Sequence, residues 1–260
     1  MGRESRRSGR AIAVKRSGKR TCDAESMAAP QALGDVPNLL PRLCGGMEIE
    51  LKYTHLLWDF NGTIFADMQA GIDSVNHMLL ERGLKPIQSM EQYREIFDFP
   101  IRSYYEALGF DFEKEPYHIL APIWVELYNE NSKSAGLCEG VRETLAEVQR
   151  RGITQVILSA CELNMLTDQL KVLGVSEYFE EVIGLDNIHA ESKLHLAQMW
   201  REANRDARVL YVGDTTHDAE TAAQLGADCL LYTGGHQSRA RLSKVGVPMI
   251  DRIDEILKYL

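Results

Sequence analysis

The stretch Leu56-Leu57-Trp58-Asp59-Phe60-Asn61-Gly62-Thr63-Ile64 decides the fold class of this chain. Its apolar beginning predicts a buried β-strand, and Gly62 predicts a tight turn soon after that strand. Asp59 stands between the two features. The strand would therefore deliver a carboxylate to the carboxyl edge of a sheet, where α/β proteins bind their ligands. The stretch predicts both an α/β fold and a functional site at Asp59.

The composition is that of a globular protein with an acidic body. The 260 residues are 45% hydrophobic and carry a formal net charge of -9. No apolar run approaches the roughly 18 residues of a membrane span, and the negative charge argues against a nucleic-acid-binding body. The five cysteines show no C-x-x-C spacing, which indicates reduced thiols in a cytoplasmic protein. We therefore expect a cytoplasmic protein with neither nucleic acid nor membrane as a partner, and its oligomeric state stays open.

The first residues differ from the rest in charge. Residues 1–20 hold eight Lys or Arg and one Glu, a net charge of +7. A basic, Ser- and Gly-rich segment with little apolar pattern predicts a disordered extension over residues 1–46, with Met47 as a plausible start. An organellar transit peptide and a basic nucleic-acid-binding arm are the alternatives that the sequence leaves open.

The rest of the chain separates into a helical insert and a segment of alternating helices and strands. No strand pattern interrupts residues 67–136, which we predict to be a helical cap. Strand patterns follow at Gln155–Leu158, near Val182, and at Arg208–Val212, Asp228–Tyr232 and Met249–Ile250, with helical patterns between them. Repeated βα units imply a parallel sheet. The prediction is an α/β core over residues 47–66 and 137–260, a Rossmann-like parallel sheet with helices on both faces, with the cap inserted after the first strand.

Four polar sites stand just past the ends of predicted elements. They are Asp59, Ser159, Lys193 and the pair Asp214 and Asp218. Each is a weak signal alone, because strand-terminal acids and serines are often turn residues or helix caps.

Together, in this order, the four sites resemble the motifs of the haloacid dehalogenase-like hydrolase superfamily. Residues 59–63 resemble its first motif, Ser159 its second, Lys193 its third and residues 213–218 its fourth. Residues 99–105 and 235–238 resemble the phosphoglycolate-phosphatase-like branch. The resemblance covers residues 47–260 and implies the fold described above.

The resemblance implies a Mg²⁺-dependent phosphatase acting on a small phosphorylated substrate such as phosphoglycolate. Asp59 would be the nucleophile and form an aspartyl-phosphate, chemistry of which a carboxylate is capable. Mg²⁺ prefers oxygen ligands. The family places these on Asp59, Asp214 and the backbone carbonyl of Asn61, and Asp218 holds a metal-bound water.

The remaining residues that the resemblance assigns contact the phosphate. Lys193 would offset the negative charge of the phosphate and of the nucleophile. Ser159 would donate a hydrogen bond to a phosphate oxygen, assisted by backbone N–H groups that begin at Ala160.

The cap contributes further candidate substrate-binding residues. Arg102, Tyr104 and Tyr105 lie where the branch places its substrate-reading loop. A guanidinium there would suit a carboxylate or a second phosphate, because it binds both bidentately. The alternative, that Arg102 is solvated and the tyrosines belong to the cap core, stays open.

Asn61 departs from the family pattern, which has a second Asp at this position. That Asp protonates the leaving oxygen and later deprotonates the attacking water, and an amide can do neither. General acid–base catalysis is worth roughly 10²–10⁴-fold in rate, or about 2.7–5.5 kcal/mol of barrier.

Three interpretations of Asn61 follow. The protein is a phosphatase in which a cap group or water supplies the proton. Alternatively, it binds a phosphorylated ligand with little or no turnover. In the third interpretation it is a phosphotransferase or mutase that passes its phosphate to another acceptor.

Overall fold

A mostly parallel sheet organises the molecule. The computed structural model describes residues 12–15, 51–189 and 192–260. Their strands are β1 (Ile12–Lys15), β2 (His55–Trp58), β3 (Thr154–Glu162), β4 (Glu181–Leu185), β5 (Val209–Gly213), β6 (Asp228–Tyr232) and β7 (Met249–Ile250). Across the sheet they are ordered β1-β4-β3-β2-β5-β6-β7. Strands β2 to β7 pair in parallel, and β1 pairs antiparallel with β4. The predicted parallel sheet is confirmed.

Helices connect the parallel strands. They are α1 (Met68–Glu81), α2 (Met90–Ile96), α3 (Ile101–Ala107), α4 (Tyr117–Asn131), α5 (Val141–Arg150), α6 (Leu163–Leu173), α7 (Leu194–Ala203), α8 (Thr216–Leu225) and α9 (Arg239–Leu242). Short 3₁₀ helices cover Ser132–Ser134, Ser176–Tyr178, Ser243–Val245 and Ile253–Lys258. Gly174 and Gly226, both in the left-handed conformation that glycine adopts easily, end α6 and α8.

Alternating side chains of the strands face two hydrophobic layers. Leu56 and Trp58 of β2 pack with α5, α6 and the final 3₁₀ helix. Leu57, between them, packs on the other face with α7, α8 and α9. This alternation follows from the two-residue period of a strand. It explains why the central strand is apolar throughout: helices cover both of its faces.

Helices α1 to α4 form the predicted helical cap. Their inward residues make a third hydrophobic cluster, which includes Val75, Tyr93 and Leu120. The cap follows β2 and precedes β3, so it is inserted after the first strand of the parallel sheet. The boundaries 66/67 and 136/137 stay a prediction.

Two features differ from the sequence prediction. Residues 12–15 form strand β1, although the basic segment was predicted to be disordered; its remaining residues, 1–11 and 16–46, lie outside the described ranges. The short apolar run Ile12-Ala13-Val14 pairs with β4, which would otherwise be an open edge of the sheet.

Ser159 lies inside β3 rather than beyond its end, because the strand continues to Glu162 after its register with β4 shifts.

No helix in the described ranges is long and apolar enough to cross a membrane. The described cysteines, Cys138, Cys161 and Cys229, are free thiols and are buried.

Candidate active site

Two neighbouring strands carry the central acids. Asp59 follows β2 directly and Asp214 follows β5, and these strands pair in register with Trp58 opposite Val212. The backbone N–H of Asp59 donates to the carbonyl of Val212 at 2.8 Å, which holds the two strand ends together. Asp218 lies in the first turn of α8 and is also buried. The sheet therefore brings the three predicted acids to one edge.

The three acids form a candidate metal centre. Asp59, Asp214 and Asp218 can each offer one carboxylate oxygen, and these oxygens lie within 4.8 Å of one another. Buried carboxylates this close repel one another unless a cation lies among them. An all-oxygen donor set suits a hard divalent cation such as Mg²⁺. The residues therefore fit such an ion by both charge and donor chemistry.

Lys193 supplies a positive charge inside this cluster. Its ammonium donates a short hydrogen bond to Asp59 and a 2.7 Å bond to Asp218, and its side chain is buried. Lys193 is the N-cap residue of α7, so the start of that helix aims it at the sheet edge.

Burial and charge shift the pKa values of these groups in different directions. Burial raises the pKa of Asp59 well above its usual value, against the opposing charge of Lys193. Burial also raises the pKa of Asp214 to about 6. At Asp218 burial acts in the same direction, but Lys193 and Thr215 outweigh it and lower the pKa of this carboxyl. Burial alone would lower the pKa of Lys193, but the carboxylates of Asp218 and Asp59 raise it well above its usual value.

Asp214 is enclosed by hydrogen bonds and by backbone. Thr63 donates its hydroxyl to one carboxylate oxygen at 2.8 Å, and the backbone N–H of His236 donates to the other at 2.6 Å. A Cβ on Gly62 would meet that second oxygen at 2.4 Å, and a Cβ on Gly235 would meet it at 2.2 Å. Glycine is required at both positions because any side chain would displace this carboxylate.

The Asn61 side chain is held by a second buried network. Its amide nitrogen donates to Asp67 at 2.8 Å and to the Tyr128 hydroxyl at 2.9 Å. Tyr128, on cap helix α4, donates to the same Asp67 oxygen at 2.6 Å. The other Asp67 oxygen accepts from the backbone N–H of Gly62 at 2.9 Å. This network ties the catalytic turn to the cap.

His236 completes the network as a buried cation. Its Nε2 lies 3.4 Å from Asp67, and its Nδ1 lies 2.7 Å from the Tyr93 hydroxyl. Burial alone would lower the pKa of His236, but Asp67 outweighs burial and raises it to about 9. The site therefore contains a second paired charge that the sequence analysis did not assign.

The two predicted phosphate-binding residues border the same cavity as Asp59. Ser159 is buried, and its hydroxyl oxygen accepts from the backbone N–H of Cys161 at 3.0 Å. Accepting that bond does not use the hydroxyl hydrogen, so the group can still donate to a ligand. Ala160, next to it, also borders the cavity.

Of the three candidate substrate-binding residues in the cap, two line the cavity and one does not. Tyr104 and Tyr105 are buried and line the cavity with Asp59 and Asn61. Arg102 does not line it: its guanidinium is exposed, pairs with Glu106 at 3.3 Å and lies over the Phe112 ring. The predicted substrate-contacting role of Arg102 is therefore corrected. Packing of the two tyrosines into the cap core turns the other side of α3, with Arg102, towards water.

Sequence reasoning missed Asp67, Tyr128 and His236. His236 lies in the segment 235–238 that resembled the phosphatase branch, and Asp67 is the N-cap residue of α1. These two positions were the features of the sequence that could have pointed to His236 and Asp67. The Tyr128–Asp67 contact joins residues that are 61 positions apart, and the His236–Asp67 contact joins residues that are 169 positions apart. Both contacts follow from the tertiary fold.

The family model described as haloacid dehalogenase-like hydrolase matches residues 56–232. Among curated proteins, a phosphoglycolate phosphatase from Rhodobacter capsulatus is 25% identical over 189 residues, covering 70% of this chain and 85% of that protein. One from Synechococcus elongatus is 24% identical over 187 residues, covering 72% and 87%.

The fold also matches solved structures. A haloacid dehalogenase-like hydrolase from Streptococcus pneumoniae superposes with a TM-score of 0.69 at 18% identity, covering 80% of this chain and 98% of that one. At this identity the likeness supports the fold alone.

Proposed function

The chain belongs to the haloacid dehalogenase-like hydrolases, in their phosphoglycolate-phosphatase-like branch, and is a phosphatase; we propose that it hydrolyses a small phosphomonoester with Mg²⁺ through an aspartyl-phosphate on Asp59. The observation that carries the proposal is the buried group formed by Asp59, Lys193, Asp214 and Asp218. It combines a carboxylate nucleophile, a fixed cation and an oxygen donor set, which are the parts that phosphoryl transfer requires.

In the first step, a carboxylate oxygen of Asp59 forms a bond to phosphorus, and the bond from phosphorus to the leaving oxygen breaks. The leaving oxygen takes a proton. Lys193 would balance the charge of Asp59, to which it is bonded, and of the phosphoryl oxygens, and Ser159, which lines the same cavity, would donate a hydrogen bond to them. Asp59, Asp214 and the Asn61 carbonyl would hold Mg²⁺, with Asp218 holding a metal-bound water, and the ion would supply positive charge to the phosphoryl group.

In the second step, water attacks phosphorus, phosphate leaves and the Asp59 carboxylate is restored. Asn61 cannot donate or accept the protons of either step, so they pass to and from another group or water. We expect that slow proton transfer limits turnover for substrates with a poor leaving group.

The test is release of inorganic phosphate from a panel of small phosphomonoesters, with Mg²⁺ or with excess EDTA. We expect Mg²⁺-dependent release by the wild type and none by Asp59→Asn. Asp254→Asn is a matched control, since this exposed acid pairs with Arg252 outside the site. If Asp59→Asn retained the wild-type rate, the nucleophile assignment would be wrong.

A second candidate function is binding of a phosphorylated ligand without turnover. The bonding of the Asn61 amide to Asp67 and Tyr128 favours it, because the position of the family's acid and base is occupied by a group that cannot titrate. Mg²⁺-dependent binding of phosphomonoesters by wild-type protein that releases no phosphate would support this alternative.

A further inference from the structure

One cavity, of about 120 Å³, opens onto Asp59 and extends under the cap. The cap residues lining it between Met68 and Asn131 are all uncharged. They include Phe97, Phe99, Ile101, Tyr105, Trp124 and Val125. An apolar cavity of about 150 Å³ suffices to bind benzene in a protein interior. The lining therefore favours an apolar group over a charged one, and the volume is close to, but below, that of a cavity that holds one benzene ring.

Among the described residues that line the cavity, no basic side chain is free to pair with a second anionic group. Among its described lining residues the basic ones are Lys193 and His236. Lys193 is bonded to Asp59 and Asp218, and His236 is paired with Asp67.

The acids outnumber these bases. Asp59, Asp67, Glu162 and Asp218 all line the cavity. A carboxylate on the leaving group, such as that of glycolate, would lose its hydration without gaining a cationic partner, which is unfavourable. Arg102, the residue expected to meet such a carboxylate, lies outside the cavity.

Tyr104 presents a polar atom that the protein itself does not satisfy. The residue is 3% exposed and lines the cavity, and its hydroxyl has no hydrogen-bond partner among the described residues. A buried hydroxyl without a partner costs about 1–3 kcal/mol. A ligand in the cavity that offers a hydrogen-bonding atom would recover this cost.

Asn61 limits which leaving groups the reaction can release. Without a general acid beside it, the oxygen must depart with little help from a proton. A phenol has a pKa of about 10, far below the roughly 15.7 of water, so a phenolate departs much more readily than an alkoxide.

We propose that the substrate is an aryl phosphate: an uncharged aromatic ring fills the cavity, its polar substituent bonds to the Tyr104 hydroxyl, and the phosphate is carried on a phenolic oxygen. This inference rests on the proposed phosphatase function and specifies its substrate class. Phosphoglycolate, the expectation drawn from the resemblance, is a poor substrate.

The first experiment compares phenyl phosphate, benzyl phosphate, phosphoglycolate and phosphocholine under Mg²⁺. Phenyl and benzyl phosphate share the ring but differ in the leaving oxygen. We expect both to have a KM at least tenfold below that of phosphoglycolate, and phenyl phosphate to have the higher kcat. Asn61→Asp should raise kcat more for benzyl than for phenyl phosphate. A lower KM for phosphoglycolate, or for the cationic phosphocholine, would overturn the proposal.

The second experiment tests Tyr104 with the three hydroxyphenyl phosphate isomers. Tyr104→Phe should raise KM about 5–30-fold for the isomer that the wild type binds best, corresponding to the loss of one hydrogen bond. The rise in KM should be smaller for phenyl phosphate, which has no polar ring substituent to bond to this hydroxyl. Tyr53→Phe is the matched control, since its hydroxyl bonds to Asp228 at the opposite edge of the sheet. An equal KM in wild type and Tyr104→Phe for all three isomers would remove Tyr104 from the substrate site.

Binding of non-hydrolysable probes separates this inference from the proposed function. Calorimetry with Mg²⁺ compares phenylphosphonate with phosphonoacetate, which carries a carboxylate in place of the ring. Tighter binding of phenylphosphonate would support the ring site under the cap even if no ester were hydrolysed, in which case the proposed catalysis would fail while the ligand preference stood. Tighter binding of phosphonoacetate would overturn the inference while leaving phosphatase activity intact.

Discussion

The imidazole Nε2 of His236 lies 3.4 Å from a carboxylate oxygen of Asp67, and both side chains are buried beside Asn61. This ion pair joins the segment after β6 to the residue that precedes the cap. The burial of both groups makes the charge state of the pair a determinant of stability.

The pair predicts a pH dependence of unfolding. Asp67 raises the pKa of His236 from 6.5 to about 9, so the stabilisation is full below pH 6.5 and is lost as the pH rises through 9. The pKa of Asp67 is lowered despite its burial, so its contribution is present above pH 3.8 and is lost as the pH falls through its folded-state pKa. We expect the wild type to lose roughly 3 kcal/mol of unfolding free energy between pH 6.5 and 9.5.

The measurement is urea unfolding at several pH values for wild type and His236→Asn. The variant should be less stable at pH 6.5, but its unfolding free energy should change much less up to pH 9.5. Parallel pH profiles for the two proteins would contradict the assignment of the titration to His236. Tyr93, Asp59 and Asp214 are the other groups that act on this imidazole, and all three remain in both proteins.

Lys193→Met should destabilise the protein and make its stability depend on Mg²⁺. Removal of the ammonium leaves the buried carboxylates of Asp59 and Asp218 without their cation, and breaking a buried ion pair typically costs about 3–5 kcal/mol. A cation bound among the carboxylates would recover part of this loss, so added Mg²⁺ should raise Tm more in the variant than in the wild type.

Thermal unfolding with and without Mg²⁺ tests this expectation, with Lys258→Met as the control. Lys258 makes an exposed pair with Glu255, and exposed pairs contribute little. If Lys193→Met and Lys258→Met shifted Tm equally, the buried cluster would not depend on its lysine.

Two tyrosines of the cavity should differ in their effect on stability. Tyr128→Phe removes a 2.6 Å hydrogen bond to the buried Asp67 carboxylate and should cost about 1.5–3 kcal/mol. Tyr104→Phe removes a hydroxyl without a partner and should be neutral or slightly stabilising. Urea unfolding of the two variants side by side makes the comparison. Equal losses would show that the bond to Asp67 contributes nothing specific.

Arg102→Ala should leave KM within about twofold of the wild-type value. Its guanidinium is 59% exposed and pairs with an equally exposed Glu106, and such pairs are worth about 0–1 kcal/mol. Steady-state kinetics with phenyl phosphate and phosphoglycolate would measure this. A several-fold rise in KM for phosphoglycolate alone would return Arg102 to the substrate site.

The strand-end acids could be predicted from sequence because a parallel sheet gathers the carboxyl ends of its strands at one edge. Asp59 and Asp214 each follow an apolar run, and the family resemblance assigned both to one Mg²⁺ site. The orientation of Arg102 could not be predicted in the same way. It depends on which side of the short helix α3 packs inwards, and neighbouring residues of a helix point about 100° apart.

The hydrogen-bond network around Asn61 also could not be predicted from the sequence. Asp67 and His236 are 169 positions apart, and their contact depends on how the loop after β6 closes over the turn after β2. Strand β1 was missed for a similar reason. Its four residues gain a partner only because β4 ends the parallel sheet on that side.

The hydrogen bond between Tyr128 and Asp67 holds cap helix α4 in place. Helix α4 cannot move away from the sheet without breaking this bond and the one from Asn61 to the same hydroxyl. A hydrogen bond to a charged group contributes about 1.5–3 kcal/mol, so the carboxylate that orders the catalytic turn also opposes opening of the lid. The frequency of substrate entry and product exit is thereby linked to the charge of one buried side chain that takes no part in bond making.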